Sequence, residues 1–154
     1  MKVKDFMIEN VISVSPDASV KDVMEIFVAE KIGGLPICDS DGTLLGVVSD
    51  GDIIRTINPI DRKIYDFLFY MEYVEERDLQ RRLDDLAETT IIQIAKKKGI
   101  VTVCQDDSIE SVVSKLSKHH FKKLPVVDDN NRVVGIISRG DVLRKIQASI
   151  LKKL

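Results

Sequence analysis

No run of 18 apolar residues occurs anywhere in this sequence, so it offers no candidate membrane-spanning helix. Only two cysteines are present, Cys38 and Cys104, which excludes a disulfide framework. Neither belongs to a CxxC pair or a Cys/His cluster of the kind that holds zinc. Both sit in strand-like apolar runs and are expected to be buried as small apolar residues. An excess of basic charge is missing too: 23 Lys and Arg against 25 Asp and Glu leave a net −2. That gives no field for capturing nucleic acid phosphates. P-loop and Rossmann fingerprints are absent, and no nucleophile–base pair or metal constellation can be assembled, which argues against an enzyme. The opening MKVKDFMIEN places charge where a signal peptide needs its apolar core, so the cytoplasm is the expected location.

What the chain does have is a repeat. Residues 35–55 and 124–144 carry the same pattern 89 positions apart, without a gap. Extended to Ser13/Thr102 and Ile57/Ile146, the alignment keeps 13 of 45 positions identical. The identities include Pro36/Pro125, Gly46/Gly135, Ser49/Ser138, Gly51/Gly140, Asp52/Asp141 and Arg55/Arg144. A period this long, present twice, means two small units packed together with a seam between them. At 154 residues the two units are expected to share one core.

Each copy follows one grammar. A short β run, Val11–Ser15 or Ile100–Cys104, leads into a helix whose apolar face is Val20, Val23, Met24 and Phe27, or Ile109, Val112, Val113 and Leu116. Ser19 with Asp22 reads as a capping box, and Ser108 as the cap of the second helix. Two apolar runs then flank a polar turn, with Asp41-Gly42 marking a hairpin in copy one and Asp128–Asn131 in the same place in copy two. A final helix is expected after Gly51 or Gly140, the second one continuing to Leu154. The fold class is α/β (α+β): two pseudo-twofold-related β-α-β-β-α units, residues 1–57 and 91–154, with a helical insert at 58–90. A helix through Leu79, Leu83, Leu86 and Ala87 is expected to run on through Ile94 and Ala95, closed by Lys96–Lys98 and Gly99. Within the insert Tyr65, Phe67, Phe69, Tyr70 and Tyr73 cannot all share one helical face, so some should contact a second surface.

The segment that carries chemistry is Gly46–Asp52 and its twin Gly135–Asp141, each Gly-h-h-Ser-x-Gly-Asp, where h is apolar. A strand delivers Ser49 or Ser138 to a helix start, where unpaired N–H groups suit a phosphate or other polar ligand. Asp52 or Asp141, three residues on, places a carboxylate near the same helix end, able to take both hydroxyls of a ribose. Ser-x-x-Asp is equally a helix cap, and the sequence keeps both roles open. Against a pure cap, the acid is Asp rather than Glu or Gln, and each motif follows a Leu-Pro pair by the same interval.

Taken with Val3, Asp5 and Met7 near the start, these elements in this order, twice over, resemble a tandem pair of cystathionine-β-synthase (CBS) domains, a Bateman module. The resemblance implies two clefts between the units and an adenosine-containing regulatory ligand: AMP, ADP, ATP or S-adenosylmethionine. It maps ribose recognition onto Asp52 and Asp141, with hydroxyls from Ser49 and Ser138. It places the base against Val14, Ser15 and Ile37, or Val103, Cys104 and Val126. The copies differ where phosphate would be read: Gly33-Gly34 and Asp50 in one, Lys122-Lys123 and Arg139 in the other. One cleft, near Lys122, Lys123 and Arg139, is therefore expected to hold a phosphorylated ligand, and the one near Asp50 to be weak or empty. The expected function is a stand-alone, non-catalytic sensor that reports its bound state to a partner protein, with a homodimer implied by the family. A ligand-free dimerisation or scaffold module is the alternative. No metal or nucleic acid is expected.

Overall fold

The computed structural model describes residues 1–57, 72–119 and 121–152. After a 3₁₀ turn at Val3–Asp5, copy one contains α1 (Val20–Glu30), β1 (Gly34–Cys38), β2 (Leu44–Ser49) and α2 (Asp50–Ile57). Two helices follow, α3 (Glu72–Glu88) and the single turn α4 (Ile91–Ile94). Copy two repeats the pattern as α5 (Ile109–His119), β3 (Lys123–Val127), β4 (Val133–Ser138) and α6 (Arg139–Leu151). The expected insert helix N-terminal to α3 and the side chains of its aromatic cluster lie outside the described residues.

Local chemistry explains the elements. Ser19 accepts from the Asp22 N–H at 3.0 Å while Asp22 accepts from the Ser19 N–H at 3.1 Å, the expected capping box. The Ser108 hydroxyl accepts from the Ser111 N–H at 3.2 Å and starts α5. Each hairpin turn is held by one aspartate: Asp39 accepts from Asp41 and Thr43, and Asp128 from Asn130 and Arg132, all at 2.9 Å. Gly42 and Asn131 close these turns with φ of +83° and +60°, a region Gly and Asn tolerate. The hairpins share one register, Pro36 opposite Val47 and Pro125 opposite Ile136, with a shift at the same place in each.

Several expectations change. The runs 11–15 and 100–104 are not strands: Val14 and Val103 each form a single parallel bridge, to Ile37 and Val126. The chain turns away at once, because Ser15 and Cys104 accept N–H bonds from Ala18 and Asp107. Cys38 is buried as expected, but Cys104 is exposed, since the bridging Val103 takes the inward position and its neighbour points out. Met24 and Val113, equivalent residues, stay exposed, which narrows the buried face of both helices. α2 and α6 begin directly at Asp50 and Arg139. α3 stops at Glu88, where Thr89 bonds back to Leu86 and Asp85. Lys96 therefore terminates no helix and instead pairs with Val47 across two backbone bonds of 3.0 and 2.9 Å.

The core is also not single. One cluster gathers Val20, Val23, Leu35, Ile37, Val48 and Ile53 of copy one with Leu86, Ile91 and Ala95. The other gathers Val103, Ile109, Val112, Leu124, Val126 and Ile137 of copy two with Val3. The copies thus exchange their leading segments: Leu86 of α3, with Ile91 and Ala95 at the start of the second unit, completes the core of copy one, and the chain start completes that of copy two. Ile8 bonds to Ile136 in both directions, as Lys96 does to Val47. The hairpin tips meet as well, through Leu44 N–H to the Asn131 carbonyl (2.9 Å) and Val133 N–H to that of Gly42 (3.0 Å). Exchange and tip pairing turn two half-size units into one body.

Candidate functional site

Strands β2 and β4 end on the serines, and the helix that follows turns each Ser-x-x-Asp into a reciprocal cap. In copy one Asp52 Oδ2 accepts from the Ser49 N–H (2.9 Å) and hydroxyl (3.1 Å), and the Asp52 N–H reaches back to Ser49 Oγ at 3.4 Å. In copy two the same three contacts are 3.0, 2.6 and 3.1 Å. An arginine one turn on completes each: Arg55 Nη2 donates to Asp52 Oδ1 at 2.7 Å, and Arg144 Nη2 to Asp141 Oδ1 at 2.5 Å. The shorter aspartate serves as the acid of the box. Burial works to raise the Asp141 carboxyl, but bonds from the Ser138 hydroxyl and N–H, with Arg144, overcome it and hold the group below its ordinary value.

A cavity of about 680 Å³ opens against the first cap. That volume is in the range of small-molecule sites. Copy one supplies Gly33–Pro36, Val47–Asp52 and Arg55, and copy two supplies Ile100, Val101, Phe121–Pro125 and Ile136. Lys96, on the exchanged segment, completes the wall. Its ammonium lies 5.1 Å from the centre of the Phe121 ring, a cation–π contact between that segment and copy two. Asp50 Oδ1 accepts from the Gly51 N–H at 2.7 Å. Its carboxylate would stand 2.8 Å from a Cβ on Gly33, so copy one fills with an acid the space beside residue 33.

The cavity brings together four residues singled out from sequence: Ser49, Asp52, Lys122 and Lys123. It sets the two lysines against the copy-one cap with Asp50, while Lys123 also pairs with Ser138 across β3 and β4 and so stays beside the copy-two cap. Ser138, Arg139 and Asp141 form the second helix start, outside this cavity's wall, although the Arg139 N–H bonds to the Lys122 carbonyl at 2.9 Å. Ile37, Val103 and Val126 are core residues with at most 1% exposure, and Val14, Ser15 and Cys104 likewise take no part in the wall. Its apolar surface comes instead from Leu35, Pro36, Val101, Phe121, Leu124 and their neighbours. Sequence reading missed Arg55, Lys96, Ile100, Val101 and Phe121 as wall residues. For Arg55 a signal existed, since Arg55/Arg144 is one of the repeat identities. Among the described residues no cluster of His, Cys, Asp and Glu is suited to a metal, and no helix is long and apolar enough to cross a membrane.

Comparison with known proteins agrees with this architecture. The protein is 28% identical to the uncharacterized protein MJ1426 of Methanocaldococcus jannaschii, over 95% of this chain and 91% of that one. It is 31% identical to the CBS domain-containing protein CBSX2, chloroplastic, of Arabidopsis thaliana, over 92% of this chain but only 62% of that protein. A crystal structure of CBSX2 in complex with AMP superposes with a TM-score of 0.73 at 27% identity, covering 96% of this chain and 97% of that one. The CBS domain pair of protein MJ0100, solved with 5′-methylthioadenosine and S-adenosyl-L-methionine, gives a TM-score of 0.70 at 25% identity, covering 97% and 98%. The family model of the CBS domain matches twice, at residues 3–59 and 91–148, so the repeat read from sequence is a tandem CBS pair and the chain belongs to the CBS domain family.

Proposed function

We propose that this chain is a non-catalytic regulatory module that binds an adenosine-containing nucleotide between its repeats and passes the bound state to a partner protein. One observation carries the reading: the same cavity is lined by a helix-start acid, Asp52, and by the basic residues Lys96, Lys122 and Lys123. A ribose diol meets the first, phosphate oxygens meet the second, and the apolar wall between them takes the base. CBSX2 with AMP and the MJ0100 pair with S-adenosyl-L-methionine support an adenosine ligand. Ser138, Arg139 and Asp141 then belong to a second, separate cradle. Because both copies and the exchanged segment line the cavity, a ligand there interacts differently with different arrangements of the units and shifts their populations. A second copy of the chain is the proposed assembly partner, supported by the exposed Leu143, Ile146 and Ile150 along one stripe of α6. The cytoplasm is the proposed location.

The scaffold reading keeps one specific observation: Asp52 and Asp141 already act as caps. A thermal-shift titration with AMP, ADP, ATP and S-adenosylmethionine separates the two. At a hundred times its dissociation constant a ligand adds about 2.7 kcal/mol, a rise of roughly 5–10 °C for a protein of this size. The sensor reading expects that rise with one adenosine ligand and its loss in Asp52→Ala. Flat curves for every ligand, with calorimetry agreeing, leave the scaffold.

A further inference from the structure

We infer that Arg55 is a built-in counter-ion that an incoming ligand displaces from Asp52, and that this exchange makes the cavity select phosphorylated adenosine ligands over uncharged or cationic ones. The inference rests on the nucleotide reading above. The Asp52 carboxylate has no idle oxygen: Oδ2 takes both donors of Ser49, and Oδ1 takes Arg55. A vicinal diol brings two new donors to the same group, so an existing bond has to yield. The Ser49 bonds belong to the helix start and are part-buried. Arg55 is 72% exposed on a flexible stem, which makes its bond the cheap one to break. Gly51 allows the guanidinium to lie across the helix start, for a Cβ there would stand 3.1 Å from Nη1.

Once released, Arg55 remains in the cavity wall and needs another anion. The wall already holds Arg55, Lys96, Lys122 and Lys123 against Asp50 and Asp52, an excess of cations even while the Asp52–Arg55 pair is intact. A phosphate ester supplies the missing acceptor through charge-assisted, bidentate bonds. Adenosine offers the same diol but nothing in return for the parted ion pair. A sulfonium ligand adds positive charge to a wall that already has too much. Arg55 therefore opposes every adenosine ligand at the ribose end and rewards only those carrying an anion.

The test is calorimetric titration of AMP and adenosine into the wild-type chain, Arg55→Met and Arg55→Lys. Wild type should prefer AMP. In Arg55→Met, adenosine should bind roughly two- to fivefold tighter, because its competitor is gone. The AMP-over-adenosine ratio should fall by about tenfold, the value of one charge-assisted bond at a part-exposed site. Arg55→Lys should recover part of the ratio. Melting curves check that the substitutions, at an exposed helix position, leave the fold intact. If wild type binds AMP and the ratio is equal in all three proteins, Arg55 is a surface ion pair only; the exchange is refuted while the nucleotide reading stands. If wild type binds neither compound, the exchange is refuted; the nucleotide reading falls with it only if ADP, ATP and S-adenosylmethionine also fail to bind.

Discussion

Gly46 and Gly135 recur in the repeat, and the exchanged segments give the reason. Neither adopts a positive φ, so neither serves a turn. A Cβ on Gly46 would stand 3.1 Å from the Lys96 carbonyl oxygen, 3.4 Å from Ile92 Cδ1 and 3.5 Å from Ala95 Cβ. The first contact is with backbone that two bonds tie to Val47, and Ala95 and Ile92 pack on the copy-one core. Gly46→Ala must therefore push the exchanged segment outward. Overpacking of this kind costs about 1–3 kcal/mol, and the lost flexibility of the unfolded chain returns roughly 0.4–1 kcal/mol. A net loss of about 1–2 kcal/mol should lower the melting temperature by roughly 2–8 °C. In urea the midpoint should fall with an unchanged slope. Gly135→Ala behaves differently, since a Cβ there would meet the side chain of Met7 first, 2.6 Å away, with the Ile8 carbonyl at 3.2 Å. Met7→Ala should recover part of the Gly135→Ala loss, with a coupling of at least about 0.5 kcal/mol in a double-mutant cycle. A Gly46→Ala protein as stable as wild type would refute the claim that the exchange sets these glycines.

Three further outcomes rest on the same geometry. The Asp141 carboxyl is held below its ordinary value when folded, so its stabilisation is full above about pH 4 and disappears as pH falls through the folded value. Asp141→Asn should accordingly be less stable than wild type at neutral pH, and acid melts should bring the two curves together. Burial, with the Ser13 hydroxyl opposing it and Asp39 adding to it, pushes the Cys38 thiol up, while Cys104 is exposed. A thiol reagent near pH 8 should modify one group per native chain, and Cys104→Ser should abolish that reaction; fast labelling of two groups contradicts the packing of Cys38. Leu143 is 64% exposed on the apolar stripe of α6. Leu143→Glu should turn a dimer into a monomer by light scattering with the melting temperature little changed, and a monomeric wild type would remove the proposed assembly.

Much of the fold is legible in the sequence because it is local. The capping boxes, the aspartate-held turns and the helix faces all depend on residues within four positions of each other. The exchange is not legible, because Val3 and Ile91 are apolar residues that would fit the core of either unit equally well. Only long-range pairing decides, as when Ile91 donates to the Ala18 carbonyl at 2.7 Å. The same blindness affects the site. The resemblance offers Val103 and Val126 as a surface for a base, whereas their bridge turns both into the core. Lys96 looks like the end of a helix because nothing near it in sequence shows that Val47 takes its backbone. Cys104 is misjudged for the same reason: only the long-range bridge of Val103 to Val126 shows that its neighbour faces outward.

The division between identical and differing positions in the two repeats carries its own argument. Most shared residues of the motif have a duty to the fold. Gly46 and Gly135 admit the exchanged segment, and Ser49, Asp52 and Arg55 build a cap that Ser138, Asp141 and Arg144 build again. Identity at these positions is therefore accounted for by the fold even before a ligand is considered. The differences fall elsewhere: Gly33 and Gly34 against Lys122 and Lys123, and Asp50 against Arg139. All but Arg139 line the cavity, which is built across both copies and so sees the two versions side by side. Divergence there costs the fold little, because these side chains are half-buried or exposed and leave the strand register unchanged. It changes only what charge the cavity presents. In a duplicated chain the shared half of the motif builds the cap that both copies need, and the diverged half is where the two copies can come to present different charge to a ligand.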